Sequence, residues 1–359
     1  MKRYRVAQVG CGGRGVVHLD SWLKNPDRFE IVAVCDIDAE KMQQAVSGLG
    51  ITPAQYTDAE KMLSEVKPDV FCFSTQPNVR LKMVELAAKY AVKGMVFEKP
   101  MATSLADARQ ITSLCKQHSI KTAVSHQHIY LTSFQKLKEI VESGAVGTIS
   151  RIDATCQAGL AQLGTHYVYY ILWANGGRQA KWVVGHVHGK KMLEDSHPSP
   201  DYVMGQFASD NGVRSYVEFG RLSDSHMTPD KYWVDNRLTV YGDKGYAWCD
   251  TDGRWGACNS STGGEVQFEA DDLWEVQANT RLQPLFARDL ADWLDDDTKV
   301  HPCNIDITYH GYEIMEALCL SALDNRRVDM PLDPSVCDDI LTRLNAELPE
   351  CPELVVKND

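Results

Sequence analysis

The stretch RVAQVGCGGRG, residues 5–15, constrains this chain more than any other. A short apolar run ends in Gly10, Gly12 and Gly15, spaced G-x-G-x-x-G, and a helix-compatible segment follows. The first glycine permits a tight turn, the second lets backbone approach a pyrophosphate, and the third lets the helix pack closely on the strand. That spacing is weak in isolation, but here a strand precedes it, a helix follows it, and a second strand ends in an acid. Asp36 closes EIVAVCD, about 20 residues beyond Gly15. A carboxylate there accepts hydrogen bonds from an adenosine ribose. It also repels a 2′-phosphate by about 1–4 kcal/mol at roughly 4 Å, depending on the local dielectric. Ile37 and Asp38 follow it, not an arginine, so NAD is expected and NADP is disfavoured. Gly13 and Arg14 complete the loop as candidate cofactor contacts.

The surrounding pattern fits a parallel sheet. Up to residue 122, short apolar runs (RVAQVG, EIVAVCD, DVFCFST, GMVFEKP) alternate with helical stretches such as AEKMQQAVSGL and SLADARQITSLCKQH. Strands separated by helices of this length imply right-handed crossovers, with both faces of the sheet covered. After the helix SFQKLKEIVESG the grammar changes to consecutive strand candidates with turn signals between them: TISRIDATCQA, AKWVVGHVHGK, VMGQFAS, VRSYVEFGRLS and NRLTVYGDKGYAWCD. The expected fold class is α/β, a doubly wound Rossmann domain over 1–122. An α+β domain with a large, mainly antiparallel open sheet is expected over 123–359, together with helices near 284–295 and 307–323.

Composition narrows the partners. A net charge of −12 without a basic stripe argues against nucleic acid. Eleven scattered cysteines, none in a C-x-x-C pair, read as reduced thiols. The start MKRYRVAQVG leaves no room for a signal peptide, and no apolar run approaches the roughly 20 residues of a spanning helix. A cytoplasmic protein without a membrane partner is expected.

FCFSTQPN, followed by VFEKPMATSLADA, takes this from a generic dinucleotide domain to a family. With the glycine loop and the two-part layout, these motifs resemble the glucose–fructose oxidoreductase/inositol dehydrogenase (Gfo/Idh/MocA) family over nearly the whole chain. The resemblance implies a nicotinamide-dependent oxidoreductase acting on a sugar, cyclitol or related polyol. It implies that Lys99 of the Glu98-Lys99-Pro100 signature sits beside the nicotinamide and the reacting hydroxyl. Glu98, Thr75, Gln76, Pro77, Asn78 and Gln127 join the expected cofactor contacts on the same ground. Independently of the family, Lys99 lies at the C-terminal end of a parallel strand, where open α/β sheets bind ligands. Pro100 restricts Lys99 to extended backbone. An ammonium there can stabilise a developing alkoxide or exchange its proton with it.

The segment GLAQLGTHYVYYILW, residues 159–173, carries the second candidate site. Read as one α-helix, it places Gln162, His166, Tyr169 and Trp173 on a single narrow face. Family members commonly carry an acid four positions before this histidine and an aspartate three after it. Here those positions hold Gln162 and Tyr169. His166 is the expected general acid/base beside Lys99. The neutral amide at 162 supplies no charge to favour imidazolium, so a lower titration than in relatives with the acid is expected. Alternatively, Lys99 carries the proton and His166 only binds. Tyr130 is a further candidate substrate contact.

VVGHVHGKKMLEDSHPSPDY gathers more polar groups. On a strand His186 and His188 share a face, with Asp195 and His197 shortly after. Pocket lining, a structural or subunit interface, and a metal site remain open for them. The family needs no metal for hydride transfer, and none is expected.

The leading expectation is NAD-dependent oxidation of a secondary hydroxyl on a sugar, cyclitol or glycoside, or reduction of the matching ketone. Redox-assisted glycoside cleavage with retained NAD, and a non-catalytic NAD- or sugar-sensing regulator, are the alternatives. A homodimer or homotetramer is expected by family analogy.

Overall fold

The computed structural model describes residues 2–223, 234–264, 266–270, 274–336 and 339–351. It divides into two compact units: residues up to Tyr130 together with Glu275–Tyr309, and Leu131–Trp274 together with the residues from His310 on.

In the first unit β1 (Tyr4–Val9), α1 (Gly13–Leu23), β2 (Phe29–Cys35), α2 (Ala39–Leu49), β3 (Ala54–Tyr56) and α3 (Ala59–Val66) alternate. They continue into β4 (Val70–Phe73), α4 (Arg80–Lys89), β5 (Gly94–Phe97), α5 (Leu105–Gln117) and β6 (Lys121–Val124). The six strands form a parallel sheet in the order β3-β2-β1-β4-β5-β6. Every residue of β4 and β5 is buried, as expected of central strands covered on both faces. Side-chain caps start the helices. Asp38 accepts the N–H groups of Glu40 and Lys41 at α2, and Ser104 accepts that of Asp107 at α5. Gly50, at φ 65°, ends α2 in the left-handed conformation that glycine adopts without strain.

The second unit contains α6 (Thr132–Glu142), β7 (Ile149–Cys156), α7 (Thr165–Ala174), β8 (Ala180–His188), β9 (Tyr202–Ser209) and β10 (Arg214–Gly220). The strands β11 (Asn236–Gly242), β12 (Gly245–Cys249), β13 (Arg254–Asn259) and β14 (Gln267–Ala270) follow. The chain then runs through α8 (Trp274–Gln277), α9 (Gln283–Asp295), α10 (Ile305–Asp324), β15 (Val328–Asp329) and α11 (Ile340–Glu347). The nine-stranded sheet has the order β14-β13-β12-β11-β7-β10-β9-β8-β15, antiparallel throughout except for β7 and β10. One face is covered by helices. Gly185 and Gly205 are cross-strand partners, and a Cβ on Gly185 would lie 2.1 Å from the carbonyl oxygen of Leu318. Only glycine lets α10 lie that close to the sheet.

The returning segment belongs to the first unit for a readable reason. Phe286, Ala287, Leu290 and Ala291 are the buried face of α9. Beside them the buried guanidinium of Arg28 reaches Asp292 at 2.7 Å and Asp295 at 2.6 Å. Removing those carboxylates would strand a buried charge, which typically costs about 3–5 kcal/mol.

One element departs from expectation. Residues 160–173 are not a single α-helix: Leu160–Gly164 form a π-helical turn, and α7 starts at Thr165. The N–H groups of Leu163 and Gly164 both converge on the carbonyl of Gly159. A Cβ on Gly164 would come within 3.0 Å of the Phe219 ring, so the turn packs directly on β10. The wider turn breaks the 100° register that put Gln162 in line with His166.

Candidate functional site

The glycine loop has the local structure its spacing implies. Gly10 stands at φ 88°, and a Cβ there would lie 2.6 Å from the carbonyl oxygen of Ser74. A Cβ on Gly15 would lie 2.0 Å from the carbonyl oxygen of Gly10, so the third glycine is where helix and strand meet. Gly12 is the N-cap of α1 and would meet nothing within 4 Å, which leaves the helix N-terminus accessible to an anion. Gln8 braces this turn from beneath: its amide donates to the carbonyls of Gly10 and Gly15 and accepts from the Trp22 indole.

Asp36 is locked against the loop. One carboxylate oxygen accepts the Cys11 N–H at 2.7 Å and the other accepts the Asp38 N–H at 2.9 Å. Beyond it, Cys11, Gly12, Gly13, Val16, Lys41 and Gln44 line part of a cleft of about 490 Å³. Ile37 is 95% exposed, an apolar side chain presented beside the acid. These residues fit a dinucleotide: open backbone donors at a helix N-terminus, a fixed carboxylate and an apolar platform.

The Glu98-Lys99-Pro100 signature sits at the end of β5, with a cis bond between Lys99 and Pro100. Glu98 was expected among the cofactor contacts, but its Oε1 is held within the protein. It accepts from Arg14 at 2.9 Å and from His18 Nε2 at 2.9 Å, both on α1. Burial alone would raise the carboxyl pKa, but Arg14, His18 and Lys99 hold it well below the usual range. The carboxylate therefore ties the glycine-loop helix to the strand that carries Lys99. Arg14, also an expected cofactor contact, shares this tie.

Burial pushes the Lys99 ammonium down to about 8, helped by Arg14 and Arg80 and opposed by Glu98. An amine in that range can exchange a proton near neutral pH. Beneath it lies Arg80, 1% exposed, whose Nη2 donates to the carbonyls of Thr75 at 3.1 Å and Lys99 at 3.2 Å. One buried guanidinium thus joins the loop after β4 to the loop after β5. Gln76 and Asn78 are exposed on the first of these loops and Pro77 is buried. Arg80, His18, Gln8 and Gln283 are the residues that sequence reasoning missed. Each contacts the motif residues through the fold, and only the helical i, i+4 pairing of Arg14 with His18 was visible in the sequence.

At the end of β6, Gln127 is buried and its Oε1 accepts from the Ser125 hydroxyl at 3.1 Å. His126 and His128 flank it as neutral imidazoles, pushed down to about 3 chiefly by burial and further by neighbouring cations. Tyr130 was expected to meet substrate. Its hydroxyl instead donates to Asp289 at 2.5 Å, and its ring packs edge-on against Phe286 of α9.

In the second unit His166 is buried, and its Nδ1 pairs with the Tyr170 hydroxyl at 2.8 Å. A phenol, not an acid, orients the imidazole. Gln162, displaced by the π turn, donates to Asp195 Oδ2 at 3.5 Å. A carboxylate therefore does stand next to Gln162, supplied by the 195–197 loop, where His197 lies 3.7 Å from Asp195. Tyr169 is buried. Trp173 turns toward α6, with Phe134 at 6.5 Å and the Lys138 ammonium 5.0 Å from its ring. The expected common face of Gln162, His166, Tyr169 and Trp173 is thus divided among three neighbours.

His186 and His188 do share a strand face, but it is the wrong one for a pocket around His166. Val183, Gly185 and Val187 point to the covered side with α10, and Phe219, which packs on the π turn, points there too. His186 projects oppositely, beside the exposed Val184 and Met204. Among the described residues no group of three or more His, Cys, Asp or Glu side chains is arranged to hold a metal. None of the described helices is long and apolar enough to cross a membrane.

A parallel sheet with this glycine loop and strand-end lysine defines a Rossmann-type dinucleotide domain. Residues 4–126 match the family described as "Oxidoreductase family, NAD-binding Rossmann fold" (GFO_IDH_MocA). It is 34% identical over 148 residues to a D-apiose dehydrogenase of Paraburkholderia graminis, covering 41% of this chain and 39% of that protein. It is 27% identical over 143 residues to a myo-inositol 2-dehydrogenase of Thermotoga maritima, covering 40% and 42% respectively. The matched part thus spans about two-fifths of the length of these curated relatives. The fold as a whole resembles a levoglucosan dehydrogenase solved with NADH and levoglucosan. That likeness has a TM-score of 0.79 at 16% identity, over 92% of this chain and all 100% of the other.

Proposed function

We propose that this protein is an NAD-dependent oxidoreductase. It oxidises a secondary hydroxyl of a sugar, cyclitol or glycoside, or reduces the matching ketone. The observation that carries this reading is Lys99, an amine brought down to about 8 at the end of a central parallel strand and tied through Glu98 to the glycine-loop helix. The activities of the matched relatives, D-apiose and myo-inositol 2-dehydrogenases, support the substrate class.

The roles follow from the chain's own groups. Gly12, Gly13 and the N-terminus of α1 hold the pyrophosphate. Asp36 holds the adenosine ribose and disfavours a 2′-phosphate, and Ile37 supports the adenine. Thr75, Gln76, Asn78 and Gln127 bind further along the cofactor. When bound, the nicotinamide supplies the hydride acceptor. Lys99 Nζ holds or takes the hydroxyl proton at the reacting carbon, and His166, oriented by Tyr170, is the second proton-handling group. Gln162, with Asp195 behind it, contributes to substrate binding. The exposed face carrying Val184, His186 and Met204 is assigned to self-association as a dimer or tetramer.

The test is a panel of sugars, cyclitols and glycosides read by NADH absorbance, with Lys99→Met and His166→Asn as controls. Net NADH formation that is lost in both variants supports the reading. Turnover near wild type in Lys99→Met overturns it. Glycoside cleavage without net NADH would instead identify the redox-assisted alternative.

A further inference from the structure

We propose that Gln283 is a positioning residue for Gln127, fixing through Ser125 which edge of that amide faces the nicotinamide carboxamide. The inference rests on the reading above that Gln127 lies on the nicotinamide side of the cofactor.

The carboxylate of Glu98 is ionised and can only accept. His18, buried and kept neutral chiefly by desolvation, must therefore donate its single proton from Nε2 to Glu98. That leaves His18 Nδ1 as an acceptor. Gln283 Nε2 lies 3.2 Å from this Nδ1 (and 3.3 Å from the ring's Nε2) and 3.1 Å from Ser125 Oγ. Both neighbours are satisfied only if the nitrogen edge of Gln283 faces them. An oxygen edge would set two acceptors together at His18. With its lone pair taken by Gln283, the Ser125 hydroxyl is directed to give its proton to Gln127 Oε1, at 3.1 Å.

Each hydrogen bond in this series fixes the sense of the next. The oxygen of Gln127 is held inward and its NH₂ group is left as the donor edge. A donor edge suits the carbonyl of a carboxamide. Gln283 itself comes from the first turn of α9, directly after the π-helical turn Ala278–Leu282, far from the glycine loop in sequence.

The test compares NAD⁺ with ADP-ribose, which lacks the nicotinamide, by calorimetric titration of the full chain. Gln283→Met and Ser125→Ala are each expected to weaken NAD⁺ about tenfold, the equivalent of one hydrogen bond, while ADP-ribose affinity stays within about twofold. Ser125→Ala carries the test if Gln283→Met does not fold. Equal losses for both ligands would mark a structural role and overturn the proposal, as would no loss for either. Gln127→Ala separates the two levels of inference. If it removes the preference for NAD⁺ while the other two variants do not, the Gln283 proposal alone fails. If it leaves that preference intact, the placement of Gln127 beside the nicotinamide fails as well.

Discussion

Nη2 of Arg80 donates to the carbonyl oxygen of Lys99 at 3.2 Å, which places a buried cation directly under the lysine that carries the proposed chemistry. Burial lowers Arg80 itself to about 9, and its charge is one of the groups that lower Lys99. Arg80→Met is expected to raise the Lys99 pKa and to move the corresponding limb of the pH–rate profile toward higher pH. Arg80→Lys keeps the charge, cannot bridge both carbonyls, and should leave that limb nearer its wild-type position. Both variants are expected to lose roughly 2 kcal/mol of stability in urea unfolding, the scale of a charged hydrogen bond. A drop in stability with no pH shift in either variant would reduce Arg80 to a structural brace.

For Lys99 the sign is set by the direction of reaction. Oxidation needs the neutral amine to take the hydroxyl proton, so kcat/KM should rise as pH passes through about 8. Reduction needs the ammonium and should fall through the same range. Lys99→Met should lower kcat by about 10²–10⁴-fold, the usual scale for a general acid or base, with NAD⁺ affinity changed only a few fold. Steady-state rates from pH 6 to pH 10 check this directly.

What could be read in the sequence was local. The loop Gly10–Gly15, the acid Asp36 and the strand-end Lys99 are legible because their geometry depends on neighbouring residues and on alternation of strand and helix. The bonds that hold them in place are not local: His18 meets Glu98 across 80 residues and Gln283 across 265. No spacing rule reaches those partners. The π turn at Leu160–Gly164 was missed for another reason. Apolar periodicity assumes one helical pitch, and the register of Gln162 depends on Gly164 packing against Phe219 of β10. For His186 and His188 the period of two gave the shared face correctly. It could not say which face α10 would cover, because that depends on Gly185 and Gly205.

Asp36 offers a test of cofactor choice that does not need the substrate. Its two oxygens are held by the Cys11 and Asp38 N–H groups, so the charge cannot swing away from an incoming 2′-phosphate. Asp36→Ser should weaken NAD⁺ by about tenfold through loss of the ribose contact. NADP⁺ should bind tighter by a similar factor as a repulsion of about 1–4 kcal/mol is relieved. Fluorescence titration with each cofactor reads the ratio. An unchanged preference would mean that Asp36 serves only to fix the loop.

The buried histidines make a prediction about stability in acid. His126, His128 and His301 all lie in the first unit, with burial pushing them down to about 3, 3 and 4. Lys99 lowers the first two further, and Glu98 opposes it. In the unfolded chain each imidazole titrates near 6.5, so between about pH 6.5 and 5 the unfolded state binds more protons than the folded one. Stability is therefore fully present above that range and falls as pH drops through it. Each histidine contributes a slope of up to about 1.4 kcal/mol per pH unit, and the three together about 4. Urea unfolding at pH 7, 6 and 5, followed by circular dichroism, measures the slope. His301 accepts the Cys303 N–H through Nδ1, and its Nε2 lies 3.1 Å from the Phe286 carbonyl, so His301→Gln preserves polarity while removing the titration. That variant should lower stability at pH 7 yet remove about a third of the acid slope that these three histidines contribute. A wild-type stability that is flat from pH 7 to pH 5 would show that these imidazoles are open to protonation in the folded chain.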